Sequence, residues 1–303
     1  MEKIGIMQTT NSGTRHEADH SEHWDLILKP RGFSFALHLT EIWHYRDLLW
    51  LFVKRDFVSF YKQTILGPLW FFIQPLITTV IYTFVFGGLA GISADNIPHP
   101  LFYMAGITAW NYFSDCITKT STVFRDNANI FGKVYFPRII MPLSLVVSNL
   151  IRFAVQMILF LFTMAYYYWI KGASFHVTGY IFLFPLIVLL MALLGLGIGM
   201  IVSAMTTRYR DLAFLVLFGV QLLMYATTVV YPLSVVDQKF PKIGWLIKYD
   251  PMTPIIETFR LGFLGGGTFT WGLLTYATAT TLGVLFLGVY TFNRVEKNFV
   301  DTI

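Results

Sequence analysis

Charge is what this sequence has least of. Asp, Glu, Lys and Arg make up 13% of its 303 residues, against about a quarter in a soluble domain. None of the four occurs in 63–94, 172–207 or 261–293, and each gap exceeds the ~20 residues that cross a bilayer. A soluble globular fold is excluded. Cysteine is reduced to Cys116, which rules out an internal disulfide and any cysteine metal cluster. His16, His20 and His23 are too irregularly spaced for a metal site, so none is expected. Alternating apolar segments of ~10 residues are missing, which excludes a membrane β-barrel. Residues 1–41 hold no continuous apolar core, so no cleavable signal is expected and the first span directs insertion. No G-x-x-x-x-G-K-[ST] run exists, so a phosphate-cradling loop is absent. No grouping of serine, cysteine or carboxylates suggests catalysis. The chain reads as a non-enzyme that binds no cofactor.

What remains is apolar and helical. Hydrophobic residues make up 55% of the chain and mean hydropathy is +0.60. A lipid-embedded backbone must satisfy its own hydrogen bonds, which makes helices the default. The expected fold is an all-α polytopic membrane protein with six spans, at 69–91, 101–118, 139–170, 180–206, 212–231 and 270–292. Lys and Arg set the orientation, because positive residues stay on the cytoplasmic side. With the N-terminus inside, eight precede span one, four lie between spans two and three, two between four and five, and two at the end. The outer loops keep Lys171, Lys239, Lys242, Lys248 and Arg260, and Arg152 sits within span three. Sixteen against five places both termini in the cytoplasm. The net charge of +5 therefore reflects topology, and no nucleic-acid partner is implied.

Before span one comes RDFVSFYKQTILGPLW, residues 55–70. Wound as a helix, 43–62 sets Trp50, Val53, Phe57 and Phe60 on one side and Arg55, Ser59 and Lys62 on the other. Leu48 and Phe52 interrupt the polar side, and Lys54 flanks the apolar one. Aromatic anchors beside a basic face suit the cytoplasmic membrane surface. Such a helix is either a plain juxtamembrane segment or a collar positioning span one at a pore entrance. Gly67-Pro68 then lets the chain turn, and Trp70 marks the interface.

These residues carry a resemblance. Arg55-Asp56, Tyr61-Lys62-Gln63-Thr64, Leu66-Gly67-Pro68-Leu69-Trp70 and Gln74-Pro75 closely resemble the start of the membrane subunit of polysaccharide-exporting ABC transporters. That is the ABC-2 class, of the Wzm (O-antigen), KpsM (capsule) and TarG (teichoic acid) types, with the Wzm type preferred. The likeness continues through Phe136-Pro137-Arg138, Met141-Pro142-Leu143, Arg208-Tyr209-Arg210-Asp211, Asp250-Pro251-Met252-Thr253-Pro254 and Glu296-Lys297-Asn298-Phe299. It implies an ABC-2 transmembrane domain over 41–303 and a partly flexible cytoplasmic extension over 1–40. It also implies a homodimer in the bacterial inner membrane exporting lipid-linked polysaccharide. Two copies of a separate ABC ATPase subunit would hold the ATP and Mg. An ABC-2 exporter of a drug or small lipid is the alternative. A stand-alone secondary transporter or channel would show several ionisable groups within its spans, and only Arg152 is evident. A membrane-embedded glycan enzyme lacks its acidic residues.

Three regions are candidate working parts. The inner loop 119–138 mixes polar groups with Phe124, Ile130 and Phe131, as a solvated loop or a docking helix would. The resemblance implies the coupling helix, with Arg125, Asp126, Asn127, Asn129 and Phe131 as ATPase contacts and Arg208, Tyr209 and Arg210 as a smaller second contact. For the channel, Trp70, Phe71, Tyr82, Trp110, Tyr112, Phe113 and Tyr225 offer rings for stacking on sugar faces, or they simply pack. Arg152 costs ~2.5 kcal/mol or more at a helix centre, so it either pairs with Asp115 or faces a hydrated path; Lys119, one turn beyond Asp115, competes for that carboxylate. In the outer loop, 253–264 reads as an amphipathic helix. Ile255, Ile256, Phe259 and Phe263 share one side, Glu257 and Arg260 lie elsewhere, and Gly265-Gly266-Gly267 follows. By itself this is an interfacial or re-entrant helix; the resemblance implies periplasmic gate helices between spans five and six, with Pro254, Ile255, Ile256, Glu257, Phe259 and Arg260 in the gate. Gly195, Gly199 and Ser203 on span four form a small-residue face for helix packing.

Overall fold

The computed structural model describes residues 39–62, 65–131, 133–134, 136–209, 211–239, 242 and 244–299. The expected N-terminal extension lies outside them except for its last two residues. Among the described residues, every regular element is helical.

The first described helices are α1 (Leu39–His44) and α2 (Arg46–Tyr61). A 3-10 turn at Gly67–Leu69, entered through Gly67 at φ +50°, leads into α3 (Trp70–Tyr82), which loosens into a π-helical stretch at Thr83–Leu89. Next come α4 (His99–Ser121), the single turns α5 (Val123–Asp126) and α6 (Ala128–Phe131), and α7 (Ile140–Trp169). A 3-10 turn at Gly179–Leu183 starts α8 (Phe184–Thr206), followed by α9 (Leu212–Ala226). Three shorter helices, α10 (Leu233–Lys239), α11 (Gly244–Lys248) and α12 (Met252–Leu264), precede α13 (Trp271–Phe299).

Among the described residues, four helical segments are long and apolar enough to cross a membrane: Gly67–Leu89, Ile140–Trp169, Gly179–Thr206 and Trp271–Val295. The other two expected spans depart from that pattern for different reasons. Helix α9 has 15 residues. Helix α4 has 23 but carries Asn111, Asp115 and Lys119, which lower its hydropathy. It is also the centre of the fold, touching α3, α7, α8, α9 and α12, so most of its surface meets protein. The long third apolar stretch is one continuous helix, α7, of 30 residues. At 1.5 Å per residue that is about 45 Å, well beyond a ~30 Å hydrocarbon core.

Glycines set how closely α8 approaches its neighbours. A Cβ on Gly195 would sit 2.7 Å from Cys116 Cβ, and one on Gly199 2.5 Å from Thr120 Cβ. The small face including Ser203, which is fully buried, is thus the α4–α8 contact. On the opposite side, a Cβ on Gly197 would lie 2.9 Å from the Leu285 backbone, and one on Gly288 2.5 Å from Gly197 O. This second close crossing, with α13, is not evident from sequence spacing because its glycines lie on different helices. Backbone cannot step aside. Gly197→Ala or Gly288→Ala should therefore cost ~1–3 kcal/mol by overpacking, read as a lower melting temperature in detergent. Gly283→Ala, which meets open space, should be neutral or slightly stabilising, since Ala favours a helix over Gly by ~1 kcal/mol.

Helix α2 packs differently from its sequence pattern. Phe52 and Val53 are its buried residues, with Leu48 and Leu49 partly covered, while Trp50 is exposed. Phe52 meets Phe136 at 5.6 Å, and α2 lies along α7. The two residues that spoiled the amphipathic reading, Leu48 and Phe52, belong to the packed side, because α7 supplies an apolar partner there.

Candidate functional site

Chemistry-bearing side chains gather at three levels. At the inner end, α4 runs straight into α5 and α6. Arg125 and Asp126 are exposed and paired at 2.9 Å, and Asn129 is exposed beside them. Asn127 turns back, its amide donating to Val123 O at 3.1 Å. Phe131 is buried, between Phe124 and Phe136 at 5.8 Å each, with Arg138 over its ring. It cannot serve as a free docking contact and instead anchors the turn. Tyr209 is exposed with Arg208 beside its ring; Arg210 lies outside the described residues. The Thr206 hydroxyl donates to Ser121 O at 2.7 Å, tying the end of α8 to the end of α4.

Midway, α4 and α7 share a seam of polar contacts. Arg152 Nη1 donates to Asp115 Oδ2 at 3.2 Å, Lys119 Nζ to Asn149 Oδ1 at 2.8 Å, and Asn111 Nδ2 reaches Gln156 Oε1 at 3.5 Å. Of the two partners expected for Asp115, Arg152 is the one within bonding distance, while Lys119 reaches across to Asn149. The Arg152 guanidinium also lies 5.1 Å from the ring of buried Phe71. The spacing of Asn111, Asp115 and Lys119 is the sequence signal for this seam; Asp115 and Lys119 stand out in the sequence, whereas Asn111 does not. The aromatic candidates divide. Trp110, Tyr112 and Phe113 are buried, Trp110 against Phe113 and Tyr112 against Phe153. Their faces, and that of buried Phe71, are covered by their own chain, so none of the four offers a free ring for stacking on a sugar. Trp70 and Tyr225 are exposed, and Tyr82 is half-buried with its hydroxyl 3.8 Å from Met224 Sδ.

At the outer level, α12 is not a surface helix. Every residue from Met252 to Leu264 except Leu261 is buried, including Glu257 at 1% and Arg260 at 0% exposure. Arg260 Nη1 donates to Thr228 O and Nη2 to Val229 O at 2.7 Å. The guanidinium carbon stands 3.6 Å from the centre of the Phe102 ring. Glu257 Oε1 lies 3.5 Å from Nη1, and its Oε2 accepts the Thr268 N–H at 2.9 Å. Burial pushes the Glu257 carboxyl up, with Arg260 pulling it back; burial draws Arg260 down to about 10, with Glu257 opposing. Arg260 therefore stays cationic at neutral pH. Arg260 satisfies two buried carbonyls in the non-helical backbone that follows α9, groups that need a partner when removed from water. Thr227 is held from the other side, its hydroxyl donating to Asp250 Oδ2 at 2.6 Å. Gly106 of α4 makes room for this arrangement, since a Cβ there would meet Arg260 Nη2 at 2.6 Å. Gly265, at φ +72°, closes α12 by donating its N–H to Leu261 O.

Comparison with known proteins places these levels in one family. The ABC-2 type transporter family matches residues 47–264. The chain belongs to that family. Among relatives, it is similar to the O-antigen export system permease protein RfbA of Klebsiella pneumoniae, 28% identical over 260 residues, 85% of this chain and 95% of that protein. The RfbA protein of Myxococcus xanthus is 30% identical over 227 residues, covering 74% and 83%. The polysialic acid transport protein KpsM of Escherichia coli is 23% identical over 238 residues, covering 77% and 87%. Apart from Gly265 and Thr268, the residues of all three levels fall within the ABC-2 match. Helix α13 lies beyond it and is assigned to the membrane by its own length and hydropathy.

Proposed function

We propose that this ABC-2 chain is the channel-forming subunit of an ATP-driven exporter of lipid-linked polysaccharide, of the O-antigen, capsule or teichoic-acid type. The observation that carries this is near full-length similarity to permeases named for O-antigen export, in a sequence with no nucleotide loop of its own. Two copies form the channel in the bacterial inner membrane, and each engages one separate ATPase subunit that holds ATP and Mg. Six spans cross the membrane, with both termini cytoplasmic. Helix α4 can count as a span despite its polar residues because it is sheathed by five others. The ATPase docks on α5 and α6 through Arg125, Asp126 and Asn129, with Arg208 and Tyr209 as a second contact. Arg152 serves the substrate path while paired with Asp115.

The outer segment 232–269 closes the periplasmic mouth. Pro254, Ile255, Ile256, Glu257, Phe259 and Arg260 act there as an internal brace, since α12 is covered by its own protomer. The sealing surface falls to α11 and the residue after it, with Trp245 and Leu246 exposed on the helix and Tyr249 exposed just beyond it. Leu246→Cys in a Cys116→Ser background should cross-link between copies, halt export, and recover on reduction. Cross-links that leave export unchanged would remove the gate.

In cells, depletion of the chain should strip polysaccharide from the surface while lipid-linked polymer accumulates inside. Surface polymer at normal density after depletion would reject the export role, and loss of resistance to a small amphiphile instead would identify a drug or lipid exporter.

A further inference from the structure

Helix α4 is enclosed almost everywhere, and where it is not, it is polar. Between residues 101 and 122, the only positions not buried are Asn111, Ser114, Asp115, Thr118, Lys119 and Thr122. They recur every three or four residues, so they form one stripe along the helix. The stripe is half-buried: Asn111, Asp115 and Lys119 bond Gln156, Arg152 and Asn149 of α7, and Ser114, Thr118 and Thr122 run beside that seam. A stripe facing lipid would be apolar, because polar groups in hydrocarbon are costly and turn toward protein or water. From this stripe the geometry points to a hydrated lane for the glycan strand, running up α4 beside Arg152. The inference deepens the export reading by naming the surface the polymer would touch, and it rests on that reading.

Three observations support it. First, the stripe is continuous with a cavity of about 530 Å³, lined among others by Thr118, Lys119 and Thr122 together with Arg55 and Arg125 at the inner end. That volume lies in the ~300–1,000 Å³ range of small-molecule sites. Second, its charges are largely matched: Asp115 meets Arg152, while Arg55 and Arg125 meet Asp56 and Asp126. A near-neutral surface suits a polyhydroxylated chain and holds no polyanion tightly. Third, the Thr118 hydroxyl donates to Ser114 O at 2.9 Å, and the Thr122 hydroxyl points to Lys119 O at 3.5 Å. Donation into the helix leaves these oxygens able to accept hydrogen bonds from sugar hydroxyls, weakly enough for a polymer to move on. The lane thus replaces the buried rings of Trp110, Tyr112 and Phe113.

The test uses the full transporter in membranes with its ATPase, in a Cys116→Ser background. Ser114→Cys, Thr118→Cys and Thr122→Cys are compared with Ile158→Cys, an exposed apolar position on α7, using a charged methanethiosulfonate reagent. Only a hydrated thiol ionises and reacts, so the lane positions should label at least about tenfold faster than Ile158→Cys. The adduct at Thr118→Cys or Thr122→Cys should stop polymer export while ATP turnover continues. Equal labelling at all four positions overturns the lane, as does labelling without loss of export. Disulfides forming between copies at Ser114→Cys would likewise overturn it, because the stripe would then be a subunit contact. Export by the Cys116→Ser parent is scored separately. If the parent moves no polymer, the export reading fails, whereas slow labelling in an active parent rejects the lane alone.

Discussion

Arg260→Met is expected to unfold the outer half of the protein well below the melting temperature of the parent. The substitution keeps a flexible apolar stem of similar length, so little packing volume is lost. It removes the donors to Thr228 O and Val229 O and leaves Glu257 buried without its cation. Breaking a buried, hydrogen-bonded pair from one side costs ~3–5 kcal/mol, which corresponds to a fall of about 10 °C in a domain of this size. Arg260→Met with Glu257→Gln should recover part of that loss, because no buried charge is then stranded, although the two carbonyls stay unpaired. Thermal melting in detergent with the outer-loop tryptophan Trp245 as a local probe measures both. A single variant melting with the parent would mean that the pair is not the brace described above.

The second large effect concerns the inner end. Arg125→Glu with Asp126→Lys and Asn129→Glu should abolish stimulated ATP turnover by the complex, with the membrane subunit still folded. Exposed residues away from caps and cores seldom change stability by more than ~0.5 kcal/mol, whereas truncating charged contacts at the centre of an interface costs ~2 kcal/mol or more. Phe131→Ala is the wrong probe for docking. Its ring is packed between Phe124 and Phe136, so the truncation would cost ~3–5 kcal/mol of core stability and lose activity for that reason. Wild-type turnover by the triple variant would place the ATPase elsewhere.

These two cases show how far a sequence can be read. Long uncharged stretches mark spans because lipid tolerates little else, and α3, α8 and α13 follow from that alone, while α7 follows from its apolar length despite Arg152. The face made by Gly195, Gly199 and Ser203 was legible because close packing tolerates only small residues there. The partnership of Asp115 with Arg152 was foreseeable as one choice of two, since each needs an opposite charge. The burial of Arg260 was not. Periodicity sorts side chains around a helix axis, but a long guanidinium can end on carbonyls 31 and 32 residues away, and nothing local announces them. Helix α2 misled for a related reason: Leu48 and Phe52 look out of place until α7 and Phe136 are laid against them. Phe131 likewise resembled an exposed contact because its neighbours in sequence are polar, while its neighbours in space are aromatic.

The central claim is that this chain moves polymer only when a separate ATPase drives it. It is tested most directly in proteoliposomes holding the purified chain, with or without its ATPase, and lipid-linked polysaccharide added on the ATPase side. The predicted result is polymer protected inside the vesicles only when ATP, Mg and both proteins are present, with none transferred after the Arg125, Asp126 and Asn129 substitutions. Transfer without the ATPase, or failure to transfer polymer while a small amphiphile is pumped by the same active complex, would contradict it.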